Sequence, residues 1–203
     1  MADPEAPQLY LVSPPDFELS RFPNVLARVL DARPVACVRL ALATRDEDRL
    51  MRAADALREV TTARDVALVI AEHMALAERL GLDGVHLDGA RAVRAARKAL
   101  GADAIVGAFC GTSRHDGMSA GEAGADYVAL GPISGTTLGD GQIAEAETFA
   151  WWSEMIELPV VAEGGLTETL ARSLWDKVDF FAIGEEIWTS DDPLARLDAL
   201  LPA

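Results

Sequence analysis

A chain of 203 residues, half of them hydrophobic, suits one domain with a sizeable core, and its formal charge of -15 excludes nucleic acid as a general partner because an acidic surface repels a polyanion. No run approaches the ~18 apolar residues of a membrane-spanning helix, and the start, MADPEAPQ, lacks the apolar stretch of a signal peptide, so neither a membrane nor export is expected. Cys37 and Cys110 lie in apolar runs and read as reduced packing thiols of a cytoplasmic protein.

One domain is expected over residues 1–203, with a flexible start over 1–7. Gln8 to Ser13 reads as a short apolar strand that ends at Pro14-Pro15. Phe17 to Ala32 reads as helical, with Pro23 opening its main part. Val35 to Leu42 is a buried strand interrupted by one charge, Arg39. Asp46 to Val60 is an amphipathic helix with Leu50, Ala53, Ala54 and Leu57 on one stripe. Val66 to Ile70 is a strand ending at Ala71-Glu72-His73, and Met74 to Leu80 is helix.

A repeat follows. Gly81-Leu82-Asp83, Gly101-Ala102-Asp103 and Gly124-Ala125-Asp126 each lead straight into an apolar strand. Each glycine fits a helix C-cap in the left-handed region. Between the second and third of these units, His115 is placed in the loop after the fifth strand. The spacing of Arg91, Arg94, Arg97 and Lys98 puts several of them on one helix face, which reads as a solvated basic surface. Further on, Phe149 to Glu157 is helix and Pro159 to Ala162 is strand. Thr167 caps a helix to Lys177, Phe180 to Ile183 is strand, and Asp192 to Leu201 is the closing helix. Eight apolar strands alternating with eight helices predict an α/β fold with a covered parallel sheet. Its compactness favours a (β/α)8 TIM barrel over an open sheet.

In such a barrel the C-terminal strand ends carry the site. Collected in order they offer Arg39; Glu72 and His73; His86 and Asp88; Cys110, Thr112 and Ser113; Ser134, Thr136 and Thr137; Glu163, Gly164 and Gly165; and Gly184 and Glu185. Gly164-Gly165 before a helix, with Gly184 after the last strand, has the form of a phosphate site built from bare backbone N–H groups. Glu163 and Glu185 count against it by their charge. Glu72 and Asp88, on adjacent strands, could share a divalent ion of the Mg²⁺ type or be a hydrogen-bonded pair. His86 reads as a barrel-core histidine bonded to a neighbour.

Several runs carry a family resemblance. Ile70-Ala71-Glu72-His73, GLDGVHL (Gly81 to Leu87), GADYVALGPI (Gly124 to Ile133) and PVVAEGGL (Pro159 to Leu166) resemble thiamine phosphate synthase and its relative, the thiazole tautomerase of the TenI type. The resemblance spans most of the chain. It implies a (β/α)8 barrel that joins hydroxymethylpyrimidine pyrophosphate to thiazole phosphate, releasing pyrophosphate with Mg²⁺ as cofactor. It further implies Arg39, Glu72 and Thr136 as catalytic residues. Arg39, Arg91, Ser134, Thr136, Gly164, Gly165 and Gly184 would bind substrate and phosphate, and Glu72 and Asp88 the metal. Partners are then small phosphorylated substrates, with a homo-oligomer left open.

The sequence also departs from the family pattern. Cys37 and Ala41 stand where the synthases have Gln and Lys beside the arginine. Arg91 falls where they have a second metal-binding Asp, and the loop Ser134 to Gly139 lacks their lysine. A thiazole tautomerase, a barrel that binds thiazole or thiamine phosphate without turnover, and an isomerase of a sugar phosphate stay open as alternatives.

Overall fold

The computed structural model describes residues 6–201. Of the flexible start expected over 1–7, residues 1–5 lie outside the described residues, and Ala6 and Pro7 have no regular structure. Eight parallel strands close into a barrel in sequence order: β1 Gln8–Val12, β2 Cys37–Leu40, β3 Ala67–Ala71, β4 Gly84–Asp88, β5 Ile105–Phe109, β6 Tyr127–Leu130, β7 Val160–Glu163 and β8 Phe180–Ile183. The helices are α1 Phe22–Ala32, α2 Glu47–Thr62, α3 Met74–Leu80, α4 Val93–Leu100, α5 Arg114–Ala123, α6 Ala146–Met155, α7 Glu168–Leu174, α8 Glu185–Trp188 and α9 Pro193–Leu200. The expected (β/α)8 barrel is what the chain forms.

Alternation along each strand divides the side chains between two cores. Leu11, Val38, Leu68, Ile70, Val85, Val106, Val128, Val160 and Phe181 face the helices and join one large cluster with them. Tyr10, Cys37, Val69, Tyr127, Ala129, Val161 and Ala182 fill the barrel interior. Both faces of every strand are therefore covered, which is why the strands read as continuous apolar runs. Gly107 makes the interior possible at one point. A Cβ there would overlap the ring of Tyr127 on the neighbouring strand, so glycine leaves the space that the ring fills.

The Gly-x-Asp repeat has a structural reason at the N-terminal rim. The carboxylate of Asp83, just before β4, accepts from Leu68 N–H on β3 (2.6 Å). Asp126, before β6, accepts from Val106 N–H on β5 (2.7 Å). Asp179, before β8, does the same for Val160 on β7 (2.7 Å). Gly81 and Gly124 are left-handed caps as expected, but Gly101 is not: its φ is positive and its ψ nearly extended, and exposed Asp103 makes no such strand contact among the described residues. The basic face of α4 is also only partly solvated. Arg97 turns back and donates to the carbonyls of Gly124 (3.0 Å) and Ala104 (2.6 Å) and pairs with Asp126, tying two consecutive β/α units together.

Two helix starts differ from expectation by several residues, and one helix is added. α1 starts at Phe22, because Arg21 and Phe22 N–H both bond the Glu18 carbonyl in a separate turn and Pro23 then sits in the first helical turn. α6 starts at Ala146, ahead of Phe149. A one-turn helix, α8, follows β8 directly and is anchored by Trp188 Nε1 donating to the Val12 carbonyl of β1 (2.6 Å). Among the described residues, no helix is long and apolar enough to cross a membrane.

Candidate active site

Two adjoining cavities open at the C-terminal rim. The larger, about 470 Å³, is lined by residues including Arg39, Glu72, His86, Asp88, Phe109 and Glu163. The smaller, about 260 Å³, lies over Gly164, Gly165 and Gly184 and is walled by Thr136, Thr137, Glu185 and Glu186. Leu138 and Glu163 belong to both. The loop after β6 therefore reaches the site, with Leu138 between the cavities.

Glu163 ends β7 and points inward at Arg39 of β2. Arg39 Nη1 donates to Glu163 Oε2 (3.2 Å), and Nη2 donates to Oε1. Both side chains are buried (6% and 9% exposed), so the pair is nearly dry. Burial opposes the charge of Arg39, yet the Glu163 carboxylate outweighs it and holds the guanidinium above its usual pKa. Arg39 also lies over the ring of Tyr10, 5.6 Å from its centroid. Its Nε keeps an N–H without a partner among the described residues.

Beneath this pair runs a hydrogen-bonded chain. Tyr10 and Tyr127 share a hydrogen bond between their hydroxyls (2.7 Å), and Tyr127 Oη lies 2.8 Å from His86 Nδ1. Burial, reinforced by the Arg39 charge, pushes the pKa of His86 well below its usual value, so the ring is neutral. Burial raises both tyrosines. His86 is thus the bonded core histidine that the sequence suggested. Burial likewise pushes the Cys37 and Cys110 thiols up to about 12, in keeping with packing rather than nucleophilic roles.

Glu72 and Asp88 meet at the rim of the larger cavity. Glu72 N–H bonds the His86 carbonyl (3.0 Å), and the Glu72 carboxylate accepts from Asp88 N–H. Glu72 takes φ +61°, a left-handed conformation that costs a β-carbon residue ~1 kcal/mol, and here it aims the carboxylate across to the next strand. Among the described residues no three His, Cys, Asp or Glu side chains gather as a cage. A pair of carboxylates completed by water and phosphate oxygens suits Mg²⁺, which prefers hard oxygen donors.

At the smaller cavity Gly164 and Gly165 both have positive φ, and a Cβ at Gly165 would overlap Ser134. Their N–H groups are not all open. Glu186 Oε1 accepts from Gly165 N–H (2.9 Å) and Leu166 N–H (3.2 Å), and Oε2 accepts from Gly184 N–H (2.8 Å). Ser134 is turned inward, its hydroxyl donating to the Gly165 carbonyl (2.7 Å). Thr136 is exposed on the cavity wall, where its Oγ1 accepts from Leu138 N–H (3.3 Å).

The structure thus brings Arg39, Glu72 and Asp88 to one cavity and Thr136, Gly164, Gly165 and Gly184 to the other. Arg91 is exposed in the short 3-10 turn after β4 and lines neither cavity. His115 is not in a loop but in the first turn of α5, exposed and away from both cavities. Two residues escaped sequence reasoning. Arg45, on the loop after β2, flanks Glu72 and His73 in a neighbouring depression and was legible only as a loop cation at the right rim. Glu186 adjoined the noted Gly184-Glu185 pair, but nothing in the linear pattern aimed its carboxylate at glycine amides.

Comparison with known proteins bears on this arrangement. The sequence pattern of the family described as thiamine monophosphate synthase matches residues 9–187. A thiamine-phosphate synthase of Rhodospirillum centenum is 44% identical over 89% of this chain and 89% of its own length. Another, from Erythrobacter litoralis, is 40% identical over 96% of this chain and 95% of its own. In three dimensions the barrel superposes on the thiamine phosphate pyrophosphorylase of Pyrococcus furiosus with a TM-score of 0.82, at 22% identity, over 95% of this chain and 93% of that one. That likeness speaks to the fold. The sequence relatives speak to descent across nearly the whole barrel, from β1 to the rim that holds both cavities, and this chain belongs to the thiamine monophosphate synthase family.

Proposed function

We propose that the protein is a thiamine-phosphate synthase, a transferase that joins hydroxymethylpyrimidine pyrophosphate to thiazole phosphate and releases pyrophosphate. The observation that carries this is the pair of adjoining cavities, one beside two carboxylates and one over the Gly164–Gly165 turn, separated only by Leu138 and Glu163. Two reactants held side by side turn a bimolecular displacement into an effectively unimolecular one. Close relationship to proteins named thiamine-phosphate synthase supports the same reading.

The pyrimidine pyrophosphate takes the larger cavity, with Phe109 offering a ring for the pyrimidine to lie against. The thiazole takes the smaller, its nitrogen toward Leu138. The thiazole nitrogen donates its lone pair to the pyrimidine methylene carbon, and the carbon–oxygen bond to pyrophosphate breaks with its electrons leaving on oxygen. Glu72 and Asp88 would hold Mg²⁺, which when bound supplies positive charge against the leaving pyrophosphate. Arg39 lines this cavity, while Glu163 holds its guanidinium in place and cancels much of its charge. Arg45 is the next cation toward the rim. Leu138 and Phe109 give the reacting region apolar walls that keep water from a developing pyrimidine-methyl cation.

One observation favours a second reading. The cation that faces the larger cavity is already neutralised by Glu163, which suits a barrel that binds thiazole or thiamine phosphate without turnover. Pyrophosphate release from the two substrates with Mg²⁺, together with rescue of a synthase-deficient strain, tests the transferase. Calorimetric binding of thiazole phosphate with no pyrophosphate released and no rescue would select the binding role instead.

A further inference from the structure

The backbone N–H groups that the fold offers to a phosphate already have an occupant. Gly165, Leu166 and Gly184 all donate to the carboxylate of Glu186, at 2.8 to 3.2 Å, through both of its oxygens. These donors come from two β/α units, the turn after β7 and the start of α8, and they converge on one point. An anion of two oxygens sits where a phosphate would place two of its own. Each N–H has one proton to give, so a phosphate and this carboxylate cannot both take it. They also carry like charge. The rest of the cavity wall adds Glu163 and Glu185 and, among the described residues, no Lys or Arg.

We infer that Glu186 is a specificity-determining residue: its carboxylate holds the phosphate place of the acceptor, and a phosphorylated acceptor binds only by displacing it. This rests on the transferase reading and adds to it what sets acceptor affinity. Glu186 stands on a helix of a single turn and is half-buried, so swinging it outward needs side-chain rotation and no break in the barrel. The apparent affinity for the phosphorylated acceptor is reduced by the fraction of molecules in which Glu186 has swung away. The corresponding thiazole alcohol makes no such demand, because its hydroxyl can donate to the resident carboxylate. The chain therefore discriminates poorly between acceptor phosphate and acceptor alcohol, and Glu186 is the reason.

The test compares the unaltered protein with Glu186→Ala and Glu186→Gln. Inorganic phosphate and thiazole phosphate are titrated by calorimetry, and KM and kcat are measured for thiazole phosphate and for thiazole alcohol. Glu186→Ala is expected to bind both phosphates about tenfold tighter, the factor for a carboxylate docked about nine-tenths of the time. KM for thiazole phosphate falls in step, while KM for the alcohol does not fall. Glu186→Gln, which keeps an acceptor oxygen without the charge, lies between. Folded variants that bind phosphate no more tightly than the unaltered protein overturn the inference. Should the variants fail to fold, the amide resonances of Gly165, Leu166 and Gly184 in the unaltered protein decide it. Saturating thiazole phosphate must move all three together, and their staying in place overturns the displacement. Absence of pyrophosphate release with either acceptor would count against the transferase alone, since the phosphate titrations read Glu186 without turnover.

Discussion

Arg39 and Glu163, 124 residues apart in sequence, meet inside the barrel as a two-pronged ion pair that joins β2 to β7 across its interior. Both are almost wholly buried, 6% and 9% exposed, so each depends on the other to offset the cost of burial. Removing one partner strands a buried charge and costs about 3–5 kcal/mol, whereas replacing both with apolar residues of similar volume restores much of it. Urea unfolding of Glu163→Ala against the double replacement Arg39→Met with Glu163→Leu checks this. A single replacement costing under about 1 kcal/mol would mean the pair is solvated, as surface pairs are.

Gly107→Ala tests the shape of the inner core. The new methyl overlaps the Tyr127 ring, which is itself held by Tyr10 and His86. Overpacking of this kind costs about 1–3 kcal/mol, and here it also disturbs the hydroxyl chain. Thermal unfolding should show the loss, and near-ultraviolet circular dichroism should show altered tyrosine packing. An unchanged spectrum and melting point would count against the assigned contact.

His86 makes stability depend on pH. Burial first, and the Arg39 charge second, depress its pKa in the folded state below the 6.5 of the free side chain. Below that value the unfolded chain takes up a proton that the folded chain refuses. Stability is therefore full above it and falls as pH drops, by up to about 1.4 kcal/mol per pH unit, until the folded pKa is reached. His86→Gln should remove this component of the slope. Equal slopes between about pH 6.5 and 5.5 in both proteins would contradict it.

Cys37 and Cys110 should resist alkylation in the folded state. Burial pushes both thiols up to about 12, which leaves on the order of one thiolate in ten thousand at pH 8. A thiol reagent is expected to label neither in the native protein and both after unfolding. Rapid native labelling of either would show that it is reached by solvent.

The Glu72–Asp88 pair predicts a metal dependence. Glu72→Ala removes one carboxylate and the acceptor of Asp88 N–H. The Mg²⁺ needed for half-maximal pyrophosphate release should rise by about 10–100-fold, with a smaller rise for Glu72→Asp. Unchanged dependence in both Glu72→Ala and Asp88→Ala would place the metal elsewhere.

The barrel was legible because its signals are local. Runs such as Val66 to Ile70 are apolar throughout, since one face meets the helices and the other the inner core, and Gly81 and Gly124 mark where helices stop. Thr167 showed its capping role the same way and does accept from Leu170 N–H. The rim was collected correctly as a set of strand ends, but not its internal pairings. That Glu163 neutralises Arg39, that Glu186 fills the glycine amides and that Ser134 turns to the Gly165 carbonyl are contacts between residues distant in sequence, set by barrel closure. The start of α1 was missed for a local reason: the turn on the Glu18 carbonyl looks helical in composition and is not continuous with the helix.

Asp83, Asp126 and Asp179 fasten neighbouring strands at the end of the barrel opposite the cavities. None of these fastenings touches a residue that lines either cavity. Strand fastening and the candidate chemistry thus lie at opposite ends of the same barrel. A substitution at the rim, such as one at Ala41 or Glu186, therefore leaves these fastenings untouched. Two of the three Gly-x-Asp segments, those of Asp83 and Asp126, belong to the barrel's foundations, so the end that holds the strands together and the end that holds the cavities are separate parts of the molecule.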